Sequence, residues 1–543
     1  MKKIYKFILS AGIVSLANIT NAQTLSIVSD INTGTNNSNP SDVAVLGSNI
    51  YFQADDGING KEIWKSDGTV AGTVLVKDIN PTFSSFPKYM TVLGSNIYFS
   101  ADDGINGSEL WKSDGTASGT MMVKDIRLGF QSSNLSGIVV LGANIYFQAN
   151  DSIKGNELWK SDGTVAGTVL VKDINPGTNN SDPSFLTVLG SNIYFQANDG
   201  INGNGLWKSD GTAAGTVLVK DINAGNPDSY PSFLAVFGAN IYFNANNGIN
   251  GDELWKSDGT ASGTILVKDI NPGPNGSGAY QFTGLGINIY FEATDAINGS
   301  EFWRSDGTAA GTVLVKDINI GTNNSTPRDF TVLGSNIYFS ADDGINGKEI
   351  WKSDGTAVGT VLVKDINVGT IGSNPSGFTV LGTNIYFSAN DGINGNELWQ
   401  SDGTVSGTLL VGDINTGTAN SDPNNFKVMG STLYFVAKNA VTGNELWKYT
   451  STITGVLNLD AENKKIRIYP NPSNGIFNLV YDSESNSPVT LQIINANGQL
   501  IISQTLKGEA AKNLIDLSEF AKGLYLIKTE QNGQVSTGRI IVE

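Results

Sequence analysis

Variants of the sequence Glu109-Leu110-Trp111-Lys112-Ser113-Asp114-Gly115-Thr116 recur along most of the chain. A tryptophan marks every copy, and the copies are 47 residues apart once and 48 apart thereafter. A period of about 48 residues predicts one repeat domain rather than several unrelated domains. The structural tryptophans of the repeat are Trp64, Trp111, Trp159, Trp207, Trp255, Trp303, Trp351, Trp399 and Trp447.

Each unit contains four short strand-like segments, which we call a, b, c and d. In the second unit they are residues 89–93, 96–101, 109–112 and 120–126. Glycine-containing hairpin turns separate a from b and c from d, so the four strands are antiparallel. This pattern predicts an all-β fold, namely a β-propeller with one four-stranded blade per unit.

Bulky apolar residues occupy both faces of the central segments, as in Leu110-Trp111. A strand buried on both faces is expected where blades stack face to face. We therefore expect Trp111 to fill the gap to one neighbouring blade and Leu110 the gap to the other. Segment d ends in Lys124-Asp125, and these charges suit an outer edge that must not aggregate.

The two ends of the repeat region predict a closed ring. Residues 24–31 match segment d, whereas the last unit supplies only a, b and c. The N-terminal d strand therefore completes the final blade and closes a propeller of about nine blades. Nine exceeds the usual range of about four to eight, so an open or split stack of the same blades is the alternative.

The unit at 157–174, repeated at 253–270, resembles the ELWxxDGT repeat family of bacterial secreted proteins. The resemblance covers residues 24–449 and implies a propeller-like surface protein without implying any chemistry. Two units depart from the pattern. Gly205 replaces the glutamate of the fourth unit, and Tyr449-Thr450 replaces Ser-Asp in the ninth.

The flanking segments predict export and a second domain. Residues 1–22 have the basic start, the short apolar stretch and the small final residue of a secretory signal peptide. No later segment is apolar enough to span a membrane, so we expect a soluble mature chain. The repeat domain then spans residues 23–449, a polar linker 450–465, and a domain of about seven short strands 466–543. Short strands at this density favour a small immunoglobulin-like β-sandwich.

Residues 466–543 resemble the C-terminal sorting domain (type A) of the type IX secretion system of Bacteroidetes. The resemblance implies export by the type IX machinery as partner, to the cell surface or the medium, with the tail then removed or kept. An accessory carbohydrate-binding sandwich is the alternative for this domain. The matching positions include Tyr469, Pro470, Asn471, Pro472, Gly475, Gly498, Gly523 and Tyr525.

Composition excludes several functions. The chain carries 51 acidic and 34 basic residues, a net charge of −17, with no basic cluster, so nucleic acid is not an expected partner. It has no cysteine and no histidine, which removes thiolate chemistry and the commonest general base. No unit carries an acid that stands out from the others, and no nucleophile–base pair is evident. We therefore expect no enzyme, no catalytic residue and no organic cofactor.

The d–a connections vary most between units, and variable loops on a uniform frame are typical of a binding surface. Neutral drift of polar connectors explains the same variation. Aromatic residues in or beside these connections are the candidates for stacking on sugar rings: Phe83, Phe86, Phe130, Tyr230 and Tyr280.

The b–c loops offer carboxylate and amide oxygens at short spacing, which calcium accepts. Asp, Asn and Gly are also what any tight loop prefers, so these positions are weak candidates for a metal. They are Asp55, Asp56, Asp102, Asp103, Asp342 and Asp343. The Asp of each Ser-Asp-Gly-Thr turn is expected to accept backbone N–H groups.

The sequence thus favours a secreted or cell-surface propeller that binds a polysaccharide or a surface protein without catalysis, as an adhesion module does. A glycan-cleaving enzyme with two carboxylates is the second hypothesis. A structural component of a surface layer is the third.

Overall fold

The computed structural model describes residues 22–225, 227–452, 466–469, 473, 475–481, 488–495, 500–506, 512–518, 520, 522–531 and 534–542. The chain separates into two compact units, one of which is Gln23–Ser451, while the other contains Thr452–Glu543. All regular secondary structure among the described residues is β. None of these residues belongs to a helix long and apolar enough to cross a membrane. Of the predicted signal peptide 1–22, residues 1–21 lie outside the described residues, and Ala22 begins the first strand. Of the predicted linker 450–465, residues 450–452 belong to the last repeat strand, Gly443–Thr452, and residues 453–465 lie outside the described residues.

Residues 22–452 form nine four-stranded sheets, in each of which a pairs with b, b with c, and c with d. Their first strand, β1, is Ala22–Ser29. Blades 1 to 4 follow, in the order a to d, as β2 Ser41–Leu46, β3 Asn49–Asp55, β4 Lys61–Ser66, β5 Val74–Lys77; β6 Lys88–Leu93, β7 Asn96–Asp102, β8 Ser108–Ser113, β9 Met121–Lys124; β10 Ser136–Leu141, β11 Asn144–Asn150, β12 Asn156–Ser161, β13 Val169–Lys172; β14 Ser184–Leu189, β15 Asn192–Asn198, β16 Asn204–Ser209, β17 Val217–Lys220.

Blades 5 to 8 repeat this order, and blade 9 supplies only a, b and c from its own segment. The strands are β18 Ser232–Phe237, β19 Asn240–Asn246, β20 Asp252–Ser257, β21 Ile265–Lys268; β22 Tyr280–Leu285, β23 Asn288–Asp295, β24 Gly299–Ser305, β25 Val313–Lys316; β26 Arg328–Leu333, β27 Asn336–Asp342, β28 Lys348–Ser353, β29 Val361–Lys364; β30 Ser376–Leu381, β31 Asn384–Asn390, β32 Asn396–Ser401, β33 Leu409–Gly412; β34 Asn424–Met429, β35 Thr432–Asn439, β36 Gly443–Thr452.

The ring closes as the sequence predicts, because β1 pairs with β36 and completes blade 9. The a strands of adjacent blades contact one another all the way round, including β2 of blade 1 with β34 of blade 9. The a strands are therefore innermost and surround a central channel. The all-β propeller fold is confirmed, with nine blades in the described part of the chain.

Each gap between blades is filled from both sides in the predicted manner. Trp111 packs with Tyr51 and Ile63 of blade 1, whereas Leu110 packs with Phe147 and other residues of blade 3. Side chains of neighbouring residues thus point to opposite faces of the sheet, as the strand period requires. The tryptophans are nearly buried, and truncation of one to Ala in such a core costs about 3–5 kcal/mol.

In blades 1 to 4 and 7, two lysines connect the blade to the next one. Lys112 Nζ donates to the Gly163 carbonyl at 2.8 Å, and Lys124 Nζ donates to the Thr168 carbonyl at 2.7 Å while lying 5.8 Å from the centre of the Trp159 ring. The prediction that Lys124 protects an outer edge against aggregation is therefore incomplete, because its ammonium group binds the neighbouring blade. Lys448 closes the series by donating to the Gly68 carbonyl at 2.7 Å.

The d strands end earlier than the sequence predicts. Strand β9 stops at Lys124, and the next residues turn away from the sheet because the Ile126 N–H donates to the Glu109 carboxylate at 2.9 Å. The apolar periodicity of the segment does not reveal this hydrogen bond.

The tail consists of two sheets around one core. Strands β37 Ile466–Tyr469, β38 Ile476–Tyr481 and β41 Lys512–Asp516 form the first sheet. Phe477 and Ile515 of this sheet pack with Leu491, Ile527 and Ile540 of the second. The predicted small β-sandwich is confirmed. The second sheet is formed by β40 Leu500–Leu506, β39 Val489–Asn495, β42 Gly523–Gln531 and β43 Gln534–Val542.

Candidate functional site

A fully buried glutamate, the first residue of the Glu-Leu-Trp motif, fixes the d–a loop of its blade. Glu62 Oε2 accepts the Ile79 N–H at 2.9 Å and the Ser85 hydroxyl at 2.5 Å, while Oε1 accepts the Ser85 N–H at 2.9 Å. Ser85 also donates its N–H to the Lys61 carbonyl and accepts the Asp102 N–H, so the loop is held between two blades. Burial of the carboxyl is the main cause that raises the pKa of Glu62 to about 7.

The same arrangement recurs around the ring, and burial raises the pKa of every equivalent glutamate. The pKa reaches about 7 for several of them. Blade 4 has Gly205 at this position, and a Cβ there would lie 2.7 Å from Leu218 Cδ1. The equivalent glutamates are Glu109, Glu157, Glu253, Glu301, Glu349, Glu397 and Glu445, all fully buried.

The residue after each loop serine has a left-handed backbone, and we call these nine residues the loop ring. In each blade the loop-ring residue follows the buried serine and, in most blades, precedes a proline, as in Ser85-Phe86-Pro87. A left-handed conformation costs roughly 1–2 kcal/mol in a residue with a side chain. The loop ring comprises Asn39, Phe86, Asn134, Asp182, Tyr230, Gly278, Thr326, Asn374 and Asp422, with φ between 43° and 57°.

The second residue of every a strand is also left-handed, and we call these nine residues the mouth ring. The register shows why, because one extra residue bulges out between the first and fourth residues of each a strand, as between Lys88 and Thr91. Bulges redirect side chains and are common next to functional sites. The mouth ring comprises Asp42, Tyr89, Gly137, Phe185, Phe233, Gln281, Asp329, Gly377 and Asn425, with φ between 52° and 71°.

The mouth ring surrounds one end of the central channel, on the face that carries the d–a and b–c loops. A cavity of about 630 Å³ is lined by Asp42, Tyr89, Gly137 and Asn425 of blades 1, 2, 3 and 9. A second cavity of about 360 Å³ is lined by the starts of the a strands of blades 6 to 9. Neighbouring mouth-ring residues contact each other, since the Tyr89 N–H donates to Asp42 Oδ1 at 3.1 Å.

The predicted aromatic candidates fall into separate places. Phe86 and Tyr230 belong to the loop ring and are about half exposed. Tyr280 begins the a strand of blade 6, next to the mouth ring. Phe83 and Phe130 are highly exposed in d–a loops and belong to neither ring. The structure thus brings Tyr280 to the channel mouth and leaves the other four apart from it.

The calcium candidates have their oxygens engaged within their own loops. Asp103 Oδ1 accepts the N–H groups of Ile105 and Asn106, and Oδ2 accepts the Asn106 side-chain amide. Asp102 Oδ1 accepts the Gly104 N–H at 2.7 Å. No group of three or more acidic, His or Cys residues among the described residues is arranged to hold a metal ion. The remaining candidates make the same bonds: Asp55, Asp56, Asp342 and Asp343.

The turn aspartates behave as the sequence predicts. Asp114 Oδ1 accepts both the N–H and the hydroxyl of Thr116, and these bonds lower the pKa of the Asp114 carboxyl.

One acid does stand out, which corrects the interpretation of the sequence. Glu292 is 2% exposed and lies on strand b of blade 6, where it pairs with Tyr280 on strand a. The Ser300 hydroxyl donates to Glu292 Oε1, whereas Oε2 lies 3.8 Å from Arg328 Nε. Arg328 Nη2 donates to the Tyr280 hydroxyl at 2.9 Å.

The ionisable groups around Glu292 alter one another's pKa values. Burial is the main cause that raises the pKa of Glu292, and burial together with the Glu292 carboxylate raises the pKa of Tyr280 to about 12. Burial and the neighbouring Arg328 lower the pKa of Lys348. We call Tyr280, Glu292, Arg328 and Lys348 the blade 6–7 cluster.

Two signals in the sequence point to these features. A Ser-x-Pro tripeptide precedes most a strands and marks the loop ring. Glu292 is visible once the units are aligned, because the other blades carry only uncharged residues there: Gln53, Ser100, Gln148, Gln196, Asn244, Ser340, Ser388 and Val436. The mouth ring has no such signal, since a bulge that accepts Asp, Tyr, Phe, Gln or Gly leaves no common residue.

Residues 467–543 match the family described as "Secretion system C-terminal sorting domain". The tail is a type IX secretion sorting domain. This domain directs the protein to the cell surface or beyond and implies the type IX machinery as a partner.

Several sorting-motif residues have visible roles in the tail. The Gly475 carbonyl accepts the Leu517 N–H at 2.8 Å, and Gly475 has φ 101°, with a Cβ there lying 2.7 Å from Ser518 Cα. Tyr525 is buried in the core, and Gly523 begins β42. Tyr469 ends β37. Pro470, Asn471, Pro472 and Gly498 lie outside the described residues.

Solved structures similar to this chain include a prolyl endopeptidase, at 10% identity over 65% of this chain and 54% of that one, with a TM-score of 0.37. A puromycin-hydrolyzing peptidase of Mycobacterium tuberculosis matches at 11% identity, over 65% and 57%, with a TM-score of 0.34. Sqt1 of Saccharomyces cerevisiae matches at 8% identity, over 66% and 94%, with a TM-score of 0.36. The chain spans little more than half the length of these peptidases. No curated protein matches the sequence.

Proposed function

We propose that this protein is an extracellular binding propeller whose ligand face is the channel mouth. The observation that carries the proposal is the mouth ring, in which different residues occupy the same strained backbone position around one opening. Such strain persists only where the surrounding structure enforces it, and it is concentrated at functional sites. Variable side chains on a uniform frame are the usual form of a binding surface.

The frame supports the same proposal. Buried glutamates anchor the d–a loops to two blades at once, so the mouth-ring residues that follow are held in position before a ligand arrives. Preorganisation of this kind lowers the entropic cost of binding. The sorting domain supports an extracellular site of action.

We also propose that residues 24–449 belong to the ELWxxDGT repeat proteins, that residues 1–22 are a cleaved signal peptide, and that the source is a member of the Bacteroidetes. The repeat signature Glu157-Leu158-Trp159, continued by Asp162-Gly163-Thr164, supports the first assignment. Adhesion to a polysaccharide or a surface protein is the expected role.

The test is retention of the purified protein on insoluble polysaccharides and on immobilised extracellular proteins, with calcium or with chelator, while reducing ends are assayed. Retention without release of reducing ends supports the binding function. Retention that the chelator abolishes would assign calcium to the b–c loops. Failure of every ligand to retain the protein would contradict the proposal and favour a structural role.

A glycan-cleaving enzyme is the second candidate, and Glu292 is the observation that favours it. Burial raises the pKa of this carboxyl, as a general acid requires, but glycoside hydrolysis also needs a second carboxylate at a suitable distance. Release of reducing ends that is lost in Glu292→Gln would establish this alternative.

A further inference from the structure

An aromatic strip runs along the channel mouth from blade 4 to blade 6. The ring centres of Phe185 and Phe233 are 5.6 Å apart, and those of Phe233 and Tyr280 are 5.7 Å apart. Phe185 is 44% exposed and Phe233 is 49% exposed, although both are large apolar residues. Both are also mouth-ring residues with left-handed backbone, which bulky side chains rarely adopt.

The strip ends at the blade 6–7 cluster. Tyr280 is both the last ring of the strip and a member of the cluster. The Arg328 guanidinium carbon lies 5.5 Å from the centre of the Tyr280 ring. Arg328 is about half exposed, and its guanidinium retains N–H donors beyond those directed at Tyr280 and Glu292. Glu292 is 2% exposed and lies beneath Tyr280 and Arg328, so it supports these two side chains rather than facing solvent.

An apolar row of rings beside fixed donors and acceptors matches the chemistry of a pyranose chain. Sugar rings present C–H faces that pack on aromatic rings, and their edges carry hydroxyls that both donate and accept hydrogen bonds. Arg328 offers donors, and Tyr280 offers a ring face and a hydroxyl. Pockets with apolar walls and a few fixed polar groups bind small ligands in this way.

The charges of the site favour an uncharged ligand. Arg328 and Lys348 are opposed by Glu292, and Asp329 and Asp342 also act on Lys348. The site therefore offers no excess positive charge to an anionic chain, and the net charge of −17 opposes the approach of a polyanion.

We propose that blades 4 to 7 form a subsite for a neutral polysaccharide, which stacks on Phe185, Phe233 and Tyr280 and hydrogen-bonds to Arg328. The proposal rests on the function proposed above and specifies its ligand class and position. Of the five aromatic candidates that the sequence suggested, only Tyr280 belongs to this subsite.

The test is affinity electrophoresis of the purified protein in gels that contain a soluble neutral glucan, mannan or xylan, or the anionic polysaccharide alginate. At least one neutral polysaccharide is expected to retard the protein and alginate is not. Phe233→Ala and Arg328→Gln are each expected to weaken this binding at least tenfold, which corresponds to about 1.4 kcal/mol. Thermal melting of each variant confirms that it is folded.

Val236→Ala is the matched control, because Val236 is 40% exposed on the same strand β18 but lies towards its far end. It is expected to bind within twofold of the unchanged protein. Binding that persists in Phe233→Ala and Arg328→Gln, retardation by alginate alone, or retardation by no neutral polysaccharide would overturn the subsite. If the subsite is overturned in any of these ways but an immobilised extracellular protein retains the purified propeller protein, the proposed binding function stands. If nothing retains it, both proposals fail.

Discussion

The buried glutamate of each repeat stabilises the protein through the loop it holds. Glu349 accepts the N–H groups of Ile366, Asn367 and Ser373 and the Ser373 hydroxyl. Glu349→Ala is expected to lower the free energy of unfolding by about 2–5 kcal/mol, because each buried donor left without a partner costs roughly 1–3 kcal/mol. Chemical denaturation measures this loss. Glu349→Gln keeps an acceptor, so it is expected to lower the free energy of unfolding by less. Equal stability of Glu349→Ala and the unchanged protein would contradict the role assigned to Glu349.

The same glutamates give stability a defined pH dependence. Their folded pKa, about 7 in Glu109, exceeds the ordinary 4.5, so the folded state binds these protons more tightly than the unfolded state does. Their contribution is fully present below about pH 4.5 and is lost as the pH rises through about 7. We therefore expect the melting temperature to fall between pH 5 and pH 8, with a shallower slope in Glu349→Gln. A melting temperature that rises over this interval would contradict the pKa shifts.

The turn aspartates give stability the opposite pH dependence, and they do so at lower pH. Hydrogen bonds from Thr116 lower the pKa of Asp114, so its contribution is present above the unfolded pKa and is lost as the pH falls through the folded one. This loss sets the acid limit of the interval in which the protein is most stable.

At the scale of the strand, the bulge at the start of each a strand determines which residues the mouth ring tolerates. Tyr89 has φ 59°. Tyr89→Val is expected to be about 1–2 kcal/mol less stable than Tyr89→Gly, because a β-branched residue is disfavoured in the left-handed region and glycine is not. Glycine occurs naturally at this position in Gly137 and Gly377. Denaturation midpoints of the two variants check this order, and equal midpoints would show that the backbone relaxes.

The strands themselves could be predicted from the sequence, because hairpin turns and apolar runs recur with one period. The order of segments at the two ends predicted the closure by β1. The bulges could not be predicted in this way, since a left-handed position filled by Tyr, Phe, Asp or Gly has no residue signature. The Ser85 hydroxyl donates to the buried carboxylate of Glu62, 23 residues earlier in the sequence. The apolar periodicity of the repeat does not predict this hydrogen bond. Glu292 was accessible to sequence comparison between units but was missed.

At the scale of the whole molecule, β1 holds the ring closed. It is the outer strand of blade 9, and the Ile31 N–H after it donates to Glu445 Oε2 at 3.1 Å. Deletion of residues 23–29 is expected to expose the edge of β36 and to lower the melting temperature or cause aggregation, because an unpaired edge strand is prone to association. Thermal melting and size-exclusion chromatography measure both effects. An unchanged monomer of equal stability would contradict ring closure by β1.

The channel mouth is the proposed binding face, and the absence of cysteine from the chain allows a direct test. Asn425→Cys places one thiol on the mouth ring, and Val358→Cys places one on a 90% exposed c–d loop at the opposite face. Each variant is coupled to a bulky polyethylene glycol maleimide and its retention on the polysaccharide or immobilised protein is measured. The label at Asn425→Cys is expected to abolish retention, whereas the label at Val358→Cys is expected to leave it unchanged. Full retention with the mouth blocked would contradict the proposed binding face.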